Sequence, residues 1–290
     1  LSGPAGPSAP VSDAAPRGDS GADAAPRGDI PFFVLPQGPS CGPGRRLFFH
    51  VDATASSTSF SAETVYALER GSGGVRMALG NATVDGSDGV SSRAFASFET
   101  NRLFAPDVLD IEDLWQWESL GSGVSKTKPF ALEGLDPSSP ETARLVVYLQ
   151  GGSDAVSVVD HHVQVFVNGA LVAEETFDGA VPHRLEADVP VSLLAASNEL
   201  RVLNVGDTGV SSRVFLDRFE VLYPQGRAAR SGAFDGVFSA TGTAEVAGIA
   251  SPAALLDLTT ASWLTGYEAG PSLRFRTEAG HRYLAVSPEA

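Results

Sequence analysis

Short apolar runs alternate with Gly-, Ser- and Asp-rich turns along most of this chain, and no run carries a helical 3.6-residue stripe. The clearest run is Val163-Gln164-Val165-Phe166-Val167, whose valines occupy every second position and so share one face of a strand. Asn168-Gly169 follows, a pair that readily takes the two positive φ angles of a type I′ turn. It predicts a hairpin with Ala170-Leu171-Val172-Ala173. Further strands are predicted at 94–100, 130–132, 145–150, 183–189, 200–205 and 214–223. In the last of these, Phe215, Phe219, Val221 and Tyr223 share a face with Asp217. The pattern predicts an all-β fold, an antiparallel β-sandwich or jelly roll.

Smaller β units flank this body. Upstream, strands are predicted at Leu47–Val51, Thr64–Leu68 and Val75–Leu79, with a turn at Arg70–Gly74. Downstream, past a polar joint at Gln225–Gly232, come Gly236–Phe238, Ala244–Val246, Ala254–Leu258, Leu273–Phe275 and Tyr283–Val286. The expected division is an arm at 1–44, a small unit at 45–91, the jelly roll at 92–224 and a second small unit at 225–290. The arm is low in complexity: Ala14-Ala15-Pro16-Arg17-Gly18-Asp19 recurs as Ala24-Ala25-Pro26-Arg27-Gly28-Asp29. Such a segment buries too little apolar surface to offset its ordering entropy, so disorder is expected. Each copy contains Arg-Gly-Asp, either an integrin-type ligand or one accident duplicated.

Charge and cysteine content remove several functions. Acidic residues outnumber basic ones 35 to 20, a net charge of −15. That balance repels phosphate backbones and anionic lipid, so neither nucleic acid nor a membrane surface is an expected partner. No apolar stretch is long enough to insert in a bilayer. The start, Leu1-Ser2-Gly3-Pro4, has neither a basic nor an apolar leader region and reads as a mature or trimmed end. Cys41, the single cysteine, allows no internal disulfide. Its Pro/Gly setting supplies no base to activate a thiol, and no apolar segment upstream marks it for lipid.

Four features could carry chemistry. Trp115 and Trp117 lie two apart and share a face if extended, as a sugar-stacking pair or as core. Gln116 and Glu118 on the opposite face suit solvent, which favours core. Asp160-His161-His162 groups a carboxylate with two imidazoles, a possible ligand-binding or zinc cluster. Strand neighbours point to opposite faces, though, so the two rings cannot easily share an ion, and a structural role is favoured. Asp217 lies among apolar residues and needs a partner, whether Arg, backbone N–H groups or a structural Ca²⁺. Finally, Gly89-Val90-Ser91-Ser92-Arg93 recurs as Gly209-Val210-Ser211-Ser212-Arg213, each copy leading a loop into a strand. Asn81-Ala82-Thr83 fits a glycosylation acceptor in a host that uses one. No Ser-His-Asp set, P-loop or dinucleotide fingerprint can be nominated.

Two resemblances sharpen the reading. Val189 to Leu200, ending Ser197-Asn198-Glu199-Leu200, resembles a turn element of galactose-binding-like jelly rolls, with Ser197 where a Gly is usual. Tyr66-Ala67-Leu68-Glu69-Arg70-Gly71 with Arg76-Met77 resembles the opening block of gingipain-type cysteine peptidases. So do Glu99 followed by Asp113-Leu114-Trp115-Gln116-Trp117-Glu118, and Asp160-His161-His162-Val163 with Asp207-Thr208-Gly209. Leu216-Asp217-Arg218-Phe219-Glu220-Val221, Leu256-Asp257-Leu258-Thr259 and Tyr283-Leu284-Ala285-Val286-Ser287 continue the series in order. The resemblance covers about 45–290 and implies the non-catalytic region preceding a caspase-like domain. The family's His–Cys pair belongs to that later domain and matches nothing here. It implies a chain that is not itself an enzyme, secreted or on a bacterial cell surface, with a peptidase domain of the same or a related protein as partner. A carbohydrate-binding jelly roll for surface glycans, or an adhesion domain using the arm as spacer, are the alternatives.

Overall fold

A computed structural model describes residues 30–35, 46–50, 74–85, 89–106, 109, 111, 113–156 and 159–288. Both Arg-Gly-Asp copies, Cys41 and the block Tyr66–Gly71 lie outside them. Three short strands come first: β1 (Phe32–Leu35), β2 (Arg46–Phe49) and β3 (Ala78–Asn81). The sandwich is built from β4 (Ser92–Glu99), β5 (Leu103–Phe104), β6 (Trp115–Gln116), β7 (Glu118–Gly121), β8 (Ser125–Ala131) and β9 (Thr142–Gly151). It continues with β10 (His161–Val167), β11 (Ala170–Phe177), β12 (Pro182–Pro190), β13 (Ser197–Asn204) and β14 (Arg213–Gln225). The C-terminal unit holds β15 (Ala233–Phe238), β16 (Gly242–Ala247), β17 (Ala254–Asp257), β18 (Ser262–Thr265), β19 (Glu268–Ala269), β20 (Ser272–Thr277) and β21 (Arg282–Val286). No helix among the described residues is long and apolar enough to cross a membrane.

One sandwich layer is the sheet β11-β10-β13-β8; the facing layer runs β12-β9-β14-β4, with β7 also on β14. The valines of β10 point inward together with Leu200 and Val202 of β13. They meet Leu145, Val147 and Leu149 of β9 and Val214, Leu216, Phe219 and Val221 of β14. Burying each such side chain contributes about 1.5–3 kcal/mol. Phe219 is the centre of an aromatic group, with Phe98, Phe130 and Trp117 rings 4.8, 5.3 and 5.9 Å away. The Asn-Gly turn forms as its chemistry requires, with Asn168 at φ 49° and Gly169 at φ 87°. Asn168 Nδ2 also donates to Leu193 O and Asn198 Oδ1, fixing the hairpin tip to the opposite corner.

The recurrent Gly-Val-Ser-Ser-Arg segments do lead into neighbouring strands. Gly89 and Gly209 both take positive φ, 91° and 83°, and β4 and β14 pair antiparallel.

Three expectations change. Phe32–Leu35, inside the segment read as an arm, is a strand paired with β2, and Phe33 stacks on Trp263 at 4.4 Å. Its apolar run overrides the Pro/Gly-rich surroundings. The joint at 225–232 is no loose linker, because β15 pairs with β4 through Val237–Arg93 and Phe238–Ser92. The sandwich layer therefore continues through β15, β21, β17, β18 and β3 as one ten-stranded sheet over a second core of Phe234, Phe238, Phe275 and Tyr283. Last, β14 does not hold one face throughout. Its pairing with β9 steps from Leu216–Leu149 to Arg218–Tyr148, leaving Asp217 as the extra residue of a bulge. The slip reverses parity, so Leu216 and Phe219 both face the main core while Phe215 does not.

Candidate metal centre

The bulge at Asp217 sits where β14 changes partner. Below it β14 pairs with β7, Leu216 opposite Glu118; above it with β4, Arg218 opposite Glu99. The chain between Glu99 and Glu118 leaves the sheet, forms the β5–β6 pair and returns, with Trp117 N–H donating to Leu216 O at 2.8 Å. That excursion delivers Asp113. Carboxylate oxygens of Glu99, Asp113 and Asp217 then all lie within 4.8 Å of one another. Two oxygens on one calcium, each 2.3–2.6 Å from it, can be at most about 5 Å apart, so the cluster fits a single ion.

One oxygen of each carboxylate lacks a hydrogen-bond partner. Asp113 Oδ1 accepts from Trp115 N–H at 3.0 Å, and Asp217 Oδ2 accepts from Arg218 Nη1 at 2.6 Å. Glu99 Oε1, Asp113 Oδ2 and Asp217 Oδ1 are buried with no hydrogen bond. Gln116 lies close by: it is 2 % exposed, its Nε2 donates to Asp113 O at 3.3 Å, and its Oε1 has no partner. Gln116, Asp113 and Asp217 line one cavity of about 310 Å³. Burial and, next, the Asp217 charge push the Glu99 carboxyl up to about 7. Burial likewise pushes Asp217 up to about 6, against the pull of Arg218. Three hard, acidic oxygen donors suit a calcium-like cation and no soft metal. Sequence reasoning found Asp217 but missed Glu99, Asp113 and Gln116, which only the strand exchange brings beside it.

The tryptophans sit next to this centre, both partly buried. Trp117 packs on the main core, its ring parallel to Phe219, with Lys128 Nζ 4.5 Å from its centroid. Trp115 meets Phe104 at 5.0 Å. Gln116 and Glu118, expected in solvent, are the buried members of this stretch. Glu118 is tolerated there because Lys128, Arg102 and Lys126 converge on it.

Asp160, His161 and His162 serve three separate purposes. Asp160 is wholly buried and ties loops together, accepting from Ala155 N–H at 2.9 Å and Gly179 N–H at 3.1 Å. His161, also buried, is placed between Ser212 Oγ at 2.8 Å and Gly179 O at 3.2 Å. Burial lowers its pKa, so the neutral ring accepts from Ser212 and donates to Gly179. Gly151 is required beside it, because a Cβ there would stand 2.1 Å from Gly179 O. His162 points the other way, to Asp207 Oδ1 at 2.7 Å and Glu174 Oε1 at 2.8 Å, and hydrogen bonding to Asp207 raises its pKa. The two rings share no ion.

The fold and this centre define an all-β protein in which a jelly roll and a second β unit are fused through one sheet. No family model and no curated protein matches the sequence. Among solved structures, the chain is similar to dimeric latent PorU from Porphyromonas gingivalis, at TM-score 0.55 and 17% identity over 74% of this chain. It spans 22% of that protein's length. Carbohydrate-binding module CBM36, solved with calcium and xylotriose, aligns at TM-score 0.29 and 13% identity, over 49% of this chain and 93% of the module. A CBM36-1 domain of a xylanase from the hindgut metagenome of Trinervitermes trinervoides aligns at TM-score 0.30 and 10% identity, over 44% and 95%. The likeness to PorU is one of fold.

Proposed function

We propose that this chain is the non-catalytic β scaffold of a larger secreted, gingipain-like cysteine peptidase, with a peptidase domain of the same or a related protein as its partner. In this reading one structural calcium at Glu99, Asp113 and Asp217 holds the jelly roll, supplying charge that three crowded carboxylates need. The observation that carries the reading is the extent of the PorU likeness. At 74% of the chain it must reach beyond the jelly roll, which is less than half of it, into the flanking units. The ten-stranded sheet makes those units one continuous surface for a neighbouring domain. A glycan-binding role has less support, since Trp117 packs on the main core and Trp115 on Phe104, each ring only partly exposed.

The test is to mix the purified chain with a purified caspase-like domain of the gingipain type, in a size-exclusion binding assay run beside a glycan array. A one-to-one complex, no glycan signal and no cleavage of Arg- or Lys-directed peptides are expected. Glycan binding without association to a peptidase domain would overturn the scaffold reading in favour of a carbohydrate module.

A further inference from the structure

The contact between β4 and β15 stops after Ser92 and Arg93. From Ala94 to Glu99, β4 keeps β14 on one side and has no strand on the other among the described residues. An open edge of this kind is a row of peptide N–H and C=O groups, a template for one more strand. Beside it lies a cleft of about 420 Å³, lined by Ala94, Ala96 and Phe98 of β4 and by Ala131, Glu133 and Val237. Phe95, on the same strand, is 49 % exposed.

Three guanidiniums reach this cleft in a chain of net charge −15. Arg282 is committed to both oxygens of Asp235, at 2.8 Å each. Arg93 is turned onto the carbonyls of Thr142 and Leu222, with Glu141 3.8 Å away. Arg230 is different: its partner is the neutral Gln225 Oε1 at 3.2 Å, and no carboxylate pairs with it among the described residues. Its position is built. Gln225 is buried and fixed by donating to Asp235 O at 2.8 Å. Gly134, at φ 67°, leaves free the space where a Cβ would stand 1.6 Å from Arg230 Nη1. Glu133, the neighbour of Gly134, is exposed and also lines the cleft.

We propose that this cleft binds an extended acidic peptide, which adds a strand to the free edge of β4 and sets a Glu or Asp carboxylate on Arg230. Backbone hydrogen bonds would give affinity, and the guanidinium the preference for acid. The proposal does not rest on the calcium centre, whose ligand Glu99 closes the free stretch of β4.

The probe is a fluorescein-labelled hexapeptide, VTVEVT, compared with VTVKVT and with a VTVEVT N-methylated at alternate residues. Anisotropy measures affinity, and amide hydrogen exchange locates the contact. The glutamate peptide should bind about tenfold or more tighter than the lysine peptide and slow exchange within 94–99. The N-methylated peptide should not bind, and Arg230→Gln should bring the glutamate and lysine peptides to equal affinity. No binding by VTVEVT at millimolar concentration, equal affinity of the two peptides for the wild-type chain, or protection at a different strand would each overturn the proposal. The wild-type comparisons decide the matter even if Arg230→Gln folds poorly.

Discussion

Asp217→Asn should make the metal-free protein more stable while removing its response to calcium. Asp217 stands within 4.8 Å of ligand oxygens from both Glu99 and Asp113. At an effective dielectric of about 20, each such charge pair costs about 3–4 kcal/mol, and Asp217 carries two. The Arg218 pair, at 2.6 Å, offsets about 6 kcal/mol of that on the same scale. Glu99, with its carboxyl near 7, holds its proton part of the time at neutral pH and removes more of the repulsion. The charge pairs then nearly cancel, and burial, the largest cause that pushes the Asp217 carboxyl up to about 6, leaves a gain of about 1–2 kcal/mol for the amide, which keeps the shape and can still accept from Arg218. The assay is urea denaturation followed by circular dichroism at pH 7.5, in EGTA and in calcium. Calcium at a hundred times its dissociation constant should stabilise the wild type by about 2.7 kcal/mol and leave the variant unmoved. A variant that loses more than about 1 kcal/mol in EGTA, or that keeps the calcium response, would refute the reasoning.

In EGTA the wild type should lose about 1–2 kcal/mol between pH 5 and pH 7.5, a flat or rising profile counting against the site. Glu99 and Asp217 stay protonated up to about 7 and about 6 in the fold, above their unfolded values, so the folded chain binds more protons in that window and stability falls as pH rises. Trp117→Ala should destabilise by about 3 kcal/mol in urea, with no fluorescence response to oligosaccharides in the wild type; a stable variant with a sugar response would mark a binding platform. Glu118→Gln should cost about 2–4 kcal/mol, because Lys128 is left buried without its charge partner, and a loss under 0.5 kcal/mol would show the cluster to be solvated.

Local features were legible in the sequence and exchange between strands was not. The Asn168-Gly169 hairpin depends on two residues and their φ angles, and it forms as expected. The face carried by β14 depends on a bulge set by β4, β7 and β9, so alternation alone misassigned Phe215 and hid why Asp217 is polar. The same alternation placed Gln116 and Glu118 in water. Glu118 is held there by Lys128 on a neighbouring strand, and Gln116 by the Asp113 carbonyl three residues back. Glu99 and Asp113 gave no signal of their own, since acidic residues near turns are ordinary in a chain with 35 of them. The polar stretch after Gln225 resembled a linker because hydrogen bonds of buried side chains leave no hydrophobic mark.

The most direct test of the calcium-held scaffold is an isothermal titration of the metal-free chain with calcium chloride at pH 7.5, paired with thermal melts. One calcium per chain should bind with a dissociation constant of about 0.1–1 mM, and the melting temperature should rise with it. No heat of binding, with an unchanged melting temperature at 10 mM calcium, about ten times the weakest expected constant, would contradict it.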